Sequence, residues 1–153
     1  MQLSLQETEQ FYHVWMALLG YVNEQRSLVP RAIGKRLTPG ALGLEDAAKI
    51  RNALWAEDSL RVAFVAENPA GLSAEDLEIA DSWRYRVAGH FYVLRYLKRH
   101  AIFLSRGNPP HAYGVLALLS PFEQVIGPHL PALVETVLLP FHDRIIYDGI
   151  VSG

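Results

Sequence analysis

The apolar residues of this chain change their spacing at Gly89, and this change restricts the fold more than any other feature of the sequence. Before Gly89 they recur every three to four residues, which is the spacing of a buried helix face. After it, aromatic and β-branched residues follow a spacing closer to two, which is typical of strands. Helices followed by strands, rather than helices alternating with strands, predict an α+β fold.

The first predicted helix covers residues 5–23. Its apolar side chains share one face: Phe11, Val14, Trp15, Leu18 and Val22. The prolines and glycines of residues 26–43 then predict a long loop. This loop holds a basic cluster without an acidic neighbour, formed by Arg26, Arg31, Lys35 and Arg36.

A second helical region begins at Leu44. Its apolar face continues beyond a predicted bend near Glu57 and Asp58. The Asn-Pro-Ala-Gly sequence at residues 68–71 ends it, because proline and glycine disfavour a continuing helix.

Ser73 marks the start of the next helix. Its hydroxyl can cap the first turn, and Asp76, three residues later, can reach back to the Ser73 amide. Leu72 and Leu77 occupy the positions of a hydrophobic staple across this start. We expect the helix to stop at Gly89, since glycine is favoured just beyond a helix end.

Five short strands are predicted in the second half of the chain. They cover residues 90–97, 101–105, 112–119, 133–139 and 144–150. A single helical turn is expected in the connection at 120–127, and a tight reversal at 140–143. The strands should form a small antiparallel sheet or a partly closed β-barrel.

Composition favours a single globular domain. The 153 residues are half hydrophobic and one fifth charged, which is enough to bury a sizeable core. We expect one domain, helical over residues 1–88 and β over residues 89–153. No apolar stretch is long enough to cross a bilayer, and the N-terminus has no signal-peptide pattern. A cytoplasmic protein without membrane contact is therefore expected.

The chain lacks the residues for several kinds of chemistry. It has no cysteine, which excludes disulfides, thiol catalysis and iron–sulfur clusters. Its six histidines never recur at the spacing that places two metal ligands on one helix face. No phosphate-binding glycine loop or nucleophile motif is present. We therefore expect no metal and no cofactor.

Charge is distributed unevenly around a net value of −2. Residues 37–81 hold nine acidic and three basic side chains, whereas residues 82–122 hold six basic and none acidic. The basic strands can pair with the acidic helices of their own chain, or they can bind an anionic partner. If they bind a partner, the candidate binding residues come from the basic strands and from the end of the last strand. They are Arg95, Lys98, Arg99, His100, Arg106, Tyr147 and Asp148.

Asp148 also belongs to the best acid–base pair that the sequence offers. Folding can bring it to His90, His100 or His142, although no spacing predicts this. The simpler interpretation is that Asp148 and Gly149 form a turn, because aspartate tolerates and glycine favours positive φ. We favour the turn.

Several stretches of the second half resemble a group of bacterial proteins without an assigned activity. They are Tyr92–Lys98, Ile102–Leu104, Tyr113–Leu116, Leu133–Phe141 and Arg144–Gly149. The resemblance covers residues 73–150, and its most specific part is the final hairpin, Leu-Leu-Pro-Phe-x-x-Arg-Ile-Ile-Tyr-Asp-Gly. The group favours glycine where this chain has Asp143, but aspartate also tolerates positive φ, so the hairpin should survive. Some members carry a cysteine-rich SEC-C metal-binding tail, which a chain without cysteine lacks.

We expect a small, non-enzymatic binding or regulatory module whose sheet and basic segment contact a partner. A protein partner is favoured over nucleic acid, because the net charge is negative and no RNA-binding motif is present. Two alternatives stay open. One is a hydrolase or nuclease-like enzyme that uses Asp148 and a histidine, and the other is a structural subunit of an oligomer. A homo-oligomer is compatible with these interpretations.

Overall fold

The computed structural model of the chain describes residues 1–30 and 42–153. They divide into two compact units, each described here by itself. The barrel unit consists of residues 1–8 and 85–153, and the helical unit lies within residues 9–84. Whether the two units unfold together as one domain over residues 1–153 is not decided by this division. The single domain stays a prediction.

Four helices carry the first half of the described chain. They are α1 (Leu5–Arg26), α2 (Leu44–Ala56), α3 (Ser59–Glu67) and α4 (Ala74–Ser82). The predicted helix at 5–23 is confirmed and continues to Arg26. The bend predicted near Glu57 and Asp58 is the break between α2 and α3. Most of the predicted loop, with Arg31, Lys35 and Arg36, lies outside the described residues.

Ser73 caps α4 as predicted, since its Oγ accepts a hydrogen bond from the Asp76 amide at 3.2 Å. The Asp76 carboxylate does not complete the predicted capping box. It faces α1 instead, where it accepts from Gln10 at 3.3 Å and lies 3.7 Å from Nε2 of His13. A short Asp side chain is a weaker capping-box partner than Glu, and here it joins α4 to α1.

Aromatic rings fill the core of the helical unit. The Trp15 ring lies 5.7 Å from the Trp55 ring and 5.8 Å from the Trp83 ring. Phe11 packs at 5.9 Å against both Trp15 and Trp83. The prediction that the tryptophans are core residues is confirmed for Trp15 and Trp83, which are buried, while Trp55 is half-buried.

Five strands and one helical turn make up most of the barrel unit. They are β1 (Val87–Tyr96), β2 (Ala101–Ser105), β3 (Ala112–Leu116), α5 (Phe122–Val125), β4 (Ala132–Phe141) and β5 (Arg144–Tyr147). The α+β fold class is confirmed. The prediction that Gly89 ends a helix is wrong: α4 ends at Ser82, and Gly89 lies inside β1.

The strands close into a barrel in the order β1-β2-β3-β5-β4. Four of the neighbouring pairs are antiparallel, but β3 and β5 run parallel, pairing Val115 with Ile145 and Leu116 with Ile146. The prediction of a purely antiparallel sheet is therefore wrong at this pair. The chain crosses from β3 through α5 to β4, which lies next to β1, and β5 then returns into the gap beside β3.

A bulge in β1 lets one strand serve both halves of the barrel. Residues 87–93 pair with β4, and residues 91–96 pair with β2, with the register shifting between Val93 and Arg95. Bulges bend and twist a strand. Phe91 and Val93 point into the barrel, while Leu94 and Arg95 are both exposed at the bulge.

The barrel interior is a stack of aromatic rings. Phe103 lies 6.2 Å from Phe91 and 5.3 Å from Phe122 of α5, which in turn lies 5.3 Å from Tyr147. The predicted C-terminal hairpin is confirmed, and Ile146 within it is completely buried. No helix in the described residues is long and apolar enough to cross a membrane.

Candidate functional site

An open groove lies on the outer surface of the barrel unit, where the β1–β2 and β4–β5 turns approach β3. It encloses about 700 Å³. Its lining comes from four segments: Met1 and Gln2; Lys98, Arg99 and His100; Gly114 and Leu116; and Asp143, Arg144 and Ile145. Three of the seven predicted binding residues, Lys98 to His100, therefore meet at one site.

The β1–β2 turn presents the two cations of the groove. The Leu97 amide donates to the carbonyl oxygen of His100 at 2.9 Å, which closes a hairpin with Lys98 and Arg99 as its two loop residues. The Met1 nitrogen donates a hydrogen bond to the Lys98 carbonyl at 3.0 Å, which is a further contact to the turn. Both side chains are exposed, and neither forms an ion pair in the barrel unit, all of which the structure describes.

The His100 ring packs against Gly114 of β3. A Cβ atom on Gly114 would lie 2.9 Å from Cδ2 of His100 and 3.1 Å from its Nε2. The imidazole therefore lies against the Gly114 backbone, in space that the Cβ atom of any other residue at position 114 would occupy. Sequence reasoning selected His100 for its neighbouring charges, and it missed Gly114.

The β4–β5 turn forms the opposite wall. Phe141 pairs with Arg144, so His142 and Asp143 are the loop residues. Positive φ falls on His142, at 55°, and not on Asp143, where the resemblance had placed the glycine-favouring position. Arg144 forms an ion pair with Glu7.

Glu7 is fixed by a capping box that the sequence analysis missed. The Ser4 amide donates to Glu7 Oε1 at 3.0 Å, and the Glu7 amide donates to Ser4 Oγ at 3.1 Å. A Ser-x-x-Glu pattern before an apolar helix was the available signal. Because Glu7 neutralises Arg144, Lys98 and Arg99 are the basic side chains of the groove without an ion pair in this unit, and the exposed Asp143 carboxylate also lines the groove.

The other predicted binding residues lie elsewhere. Arg95 is exposed on β1 and Arg106 in the β2–β3 loop, and neither lines the groove. Tyr147 is 4% exposed and packs on Phe122, so it is part of the barrel core. Asp148 is completely buried.

Asp148 has the geometry of a turn residue. One of its carboxylate oxygens accepts from the Ile150 amide at 3.2 Å, and Gly149 has φ of 88°. This turn ends β5 at Tyr147, three residues before the predicted end.

The three histidines considered for Asp148 lie at different places in the barrel unit. His90 lies 3.3 Å from Glu135, and His100 lies on Gly114. His142 is in the loop before β5 and Asp148 follows the end of that strand, so the four residues of β5, roughly 13 Å of extended chain, lie between them.

Aromatic stacking residues are scarce around the groove. The rings interleaved with the basic residues of β1 and its turn are Tyr92, Tyr96 and His100. The Tyr96 hydroxyl donates to the carbonyl of Gly127 at 2.6 Å, and burial raises the pKa of this phenol. Tyr92 is 39% exposed, but it does not line the groove.

Arg26, the one described member of the basic cluster, lies at the end of α1 and is paired. Arg26 Nε donates to a carboxylate oxygen of Glu57 at 3.0 Å. Arg26 therefore pairs with an acidic residue from outside the predicted loop, while Arg31, Lys35 and Arg36 lie outside the described residues. Among the residues that the structure describes, no group of three or more histidine, aspartate and glutamate side chains is arranged to hold a metal ion.

The fold is a small closed barrel of five strands, and its groove lies between the β1–β2 and β4–β5 loops. No known family, curated protein or solved structure matches the chain. The resemblance to a bacterial group therefore stays a prediction.

Proposed function

We propose that the barrel unit is a non-enzymatic binding module that takes an acidic segment of a partner protein in its groove. The observation that carries the proposal is the position of Lys98 and Arg99. Two exposed cations without an ion-pair partner in their unit stand at the rim of an open groove. Opposite charges on a partner would be attracted there without first breaking an existing pair.

The chemistry of the groove favours carboxylates next to apolar side chains. Lys98 and Arg99 supply hydrogen-bond donors with positive charge, and Arg can bind a carboxylate with two parallel bonds. Leu116 and Ile145 supply apolar surface beside them. Exposed ion pairs contribute only about 0 to 1 kcal/mol each. We therefore expect micromolar binding that weakens as salt is added.

The outer face of the barrel supports a protein ligand over a single-stranded nucleic acid. Single strands bind by stacking their bases on aromatic side chains. Phe103 and Val115 point inward, so the alternation of β2 and β3 places aliphatic or small residues outward: Ile102, Leu104, Ala112, Gly114 and Leu116. These residues of β2 and β3 suit packing against a peptide and give no stacking platform, and the exposed ring beside them is Tyr92 of β1, which pairs with Leu104.

The enzyme alternative has less support. It requires Asp148 to reach substrate together with a histidine. Asp148 is completely buried and caps its own turn, while His90 and His100 are engaged elsewhere.

Two labelled probes test the proposal. One is a short peptide of alternating Glu and Val residues, and the other is a deoxythymidine oligonucleotide of similar length. Fluorescence anisotropy measures their binding to the full chain at physiological salt. We expect the peptide to bind in the micromolar range and the oligonucleotide to bind more weakly.

A matched pair of double variants locates the binding. Lys98→Ala/Arg99→Ala should weaken peptide binding about tenfold, a loss of about 1.4 kcal/mol. Arg95→Ala/Arg106→Ala removes two exposed cations outside the groove, and it should leave the affinity within about twofold. Tighter binding of the oligonucleotide, or equal losses in both variants, would overturn the proposal.

A further inference from the structure

The groove carries charges of both signs on opposite walls. Lys98 and Arg99 stand on the β1–β2 turn, and Asp143 stands on the β4–β5 turn. All three side chains are exposed, and none forms an ion pair within the barrel unit, all of which the structure describes. Arg144, next to Asp143, already pairs with Glu7. One wall therefore presents two unpaired cations, and the other presents one unpaired carboxylate.

The strand pairing sets the distance between these walls. β3 lies between β2 and β5, and Val115 pairs with Ala101 on one side and with Ile145 on the other. Arg99 precedes Ala101 by two residues, and Asp143 precedes Ile145 by two residues. Because β2 runs antiparallel to β3 and β5 runs parallel to it, these two steps lead in opposite directions along β3. The turns are thus offset by about four residues, or roughly 13 Å, along β3 and by about 10 Å across it.

This distance keeps the opposite charges of the groove from pairing with each other. An ion pair needs its nitrogen and oxygen within about 4 Å. The two turns are roughly 16 Å apart on the diagonal of the groove. The long Lys98 and Arg99 side chains can reach over part of this distance. A ligand that contacts both walls must therefore place its own charges roughly 10 to 16 Å apart.

A span of this length fits an extended peptide segment. At about 3.3 Å per residue it corresponds to roughly three to five residues. A single amino acid, like any small zwitterion, carries its two charges too close together to contact both walls. Leu116 of β3 and Ile145 of β5 line the groove with apolar surface. The residues between the two charges of the ligand are therefore best apolar.

We propose that Asp143 determines which segments bind: the partner segment carries a basic residue about three to five positions from its carboxylates. The basic residue contacts Asp143 while the carboxylates contact Lys98 and Arg99. This inference rests on the proposed function and adds the charge pattern of the partner. Charges on both walls fix the direction of the bound segment, and a segment with acidic residues throughout is repelled at Asp143.

Two mixed-charge probes test this pattern against the acidic probe of alternating Glu and Val. One replaces the first Glu of that peptide with Lys, and the other replaces the last Glu. Both ends are tested because a peptide can enter the groove in either direction. We expect one of the two to bind the full wild-type chain at least about threefold more tightly than the acidic probe. A smaller gain for both mixed probes would overturn the inference.

Asp143→Asn tests the protein side of the contact, and Glu123→Gln is its matched control. Glu123 is exposed on α5 of the same unit but outside the groove, and both variants remove one negative charge. Asp143→Asn should lower the affinity ratio of the better mixed probe to the acidic probe at least about threefold, whereas Glu123→Gln should leave it within about twofold. Because both probes bind the same variant, the ratio does not depend on the fraction of folded protein. A smaller change in Asp143→Asn, or an equal change in both variants, would overturn the inference.

Failure of this inference differs from failure of the proposed function. If Asp143→Asn leaves the affinity ratio unchanged and Lys98→Ala/Arg99→Ala still weakens the acidic probe, the two cations bind the ligand without Asp143. That result overturns the charge pattern and keeps the binding module. Absence of binding by all three probes to the wild-type chain would overturn both.

Discussion

The imidazole of His100 lies against the backbone of Gly114, so close that a Cβ atom at residue 114 would come within 2.9 Å of the ring. His100 directly precedes β2, and Gly114 lies on the adjacent strand β3, where it pairs with Ile102. The glycine thus determines where a groove side chain sits. The position of a side chain in the candidate site therefore depends on a residue inside the sheet.

We predict that Gly114→Ala displaces His100 and weakens peptide binding. The added methyl group forces the ring to move, which should cost about 1 to 3 kcal/mol of unfolding free energy. The double variant Gly114→Ala/His100→Ala should recover most of this loss, because the clash is removed. Denaturant unfolding of the two single variants and the double variant measures the coupling. Additive losses would mean that the two residues do not interact.

The final hairpin should carry much of the stability of the barrel unit. Ile146 is completely buried, and Ile146→Ala should lower the unfolding free energy by about 2 to 5 kcal/mol. Leu133→Ala is the matched control, since Leu133 is 41% exposed on β4 and should cost less than about 1 kcal/mol. An Ile146→Ala variant as stable as the wild type would contradict the barrel core.

The buried Arg61 should stabilise the helical unit more than the exposed Arg84. Arg61 is 3% exposed, and its guanidinium donates to both carboxylate oxygens of Asp58 at 3.0 Å and to the Asp81 carbonyl at 3.1 Å. We expect Arg61→Leu to cost about 2 to 3 kcal/mol. Arg84→Leu likewise removes an ion pair with Asp81, but this pair is exposed at the surface. We expect it to lower the free energy of unfolding by about 0 to 1 kcal/mol. Equal losses in thermal unfolding would contradict this ranking.

The Arg26–Glu57 pair predicts a pH dependence of stability. The hydrogen bond from Arg26 is the largest cause that lowers the pKa of Glu57 below its ordinary value of 4.5. The folded state therefore holds the carboxylate ionised where the unfolded chain would bind a proton. This contribution is fully present above pH 4.5 and is lost as the pH falls through the lowered pKa.

Glu57→Gln is the variant that isolates this effect. Its melting temperature should lie below that of the wild type at neutral pH, and the difference should shrink as the pH falls below 4.5. Melting curves across the acidic range measure it. A difference that stays constant down to the acid limit would show that ionisation of Glu57 is not its source.

The sequence predicted the structures that are determined locally. Ser73 and the amide of Asp76 are three residues apart, and the Asp148–Gly149 turn involves adjacent residues. Their geometry depends on short-range hydrogen bonds and on the φ preferences of single residues. The parallel pairing of Val115 with Ile145 joins distant parts of the chain, and no local pattern encodes it. That is why an antiparallel sheet was predicted.

The candidate site shows the same division. Lys98 and Arg99 could be found from the sequence, because they are basic residues at a predicted strand reversal. The Gly114 contact and the neutralisation of Arg144 by Glu7 depend on folding and gave no signal at their positions. Tyr147 and Asp148 were selected as candidate binding residues because they end the distinctive final hairpin sequence. In the structure Tyr147 is a core ring and Asp148 forms a turn.

Chemical-shift mapping of the acidic peptide on the isotope-labelled full chain tests the central claim most directly. The account predicts that the amide signals of Lys98, Arg99, His100 and Gly114 shift together and saturably as peptide is added, and that the shifts shrink with added salt because the cations at the rim are screened. Shifts that are absent from these residues and concentrated elsewhere, such as around Tyr92 and Leu133 on the outer face of β1 and β4, would contradict it.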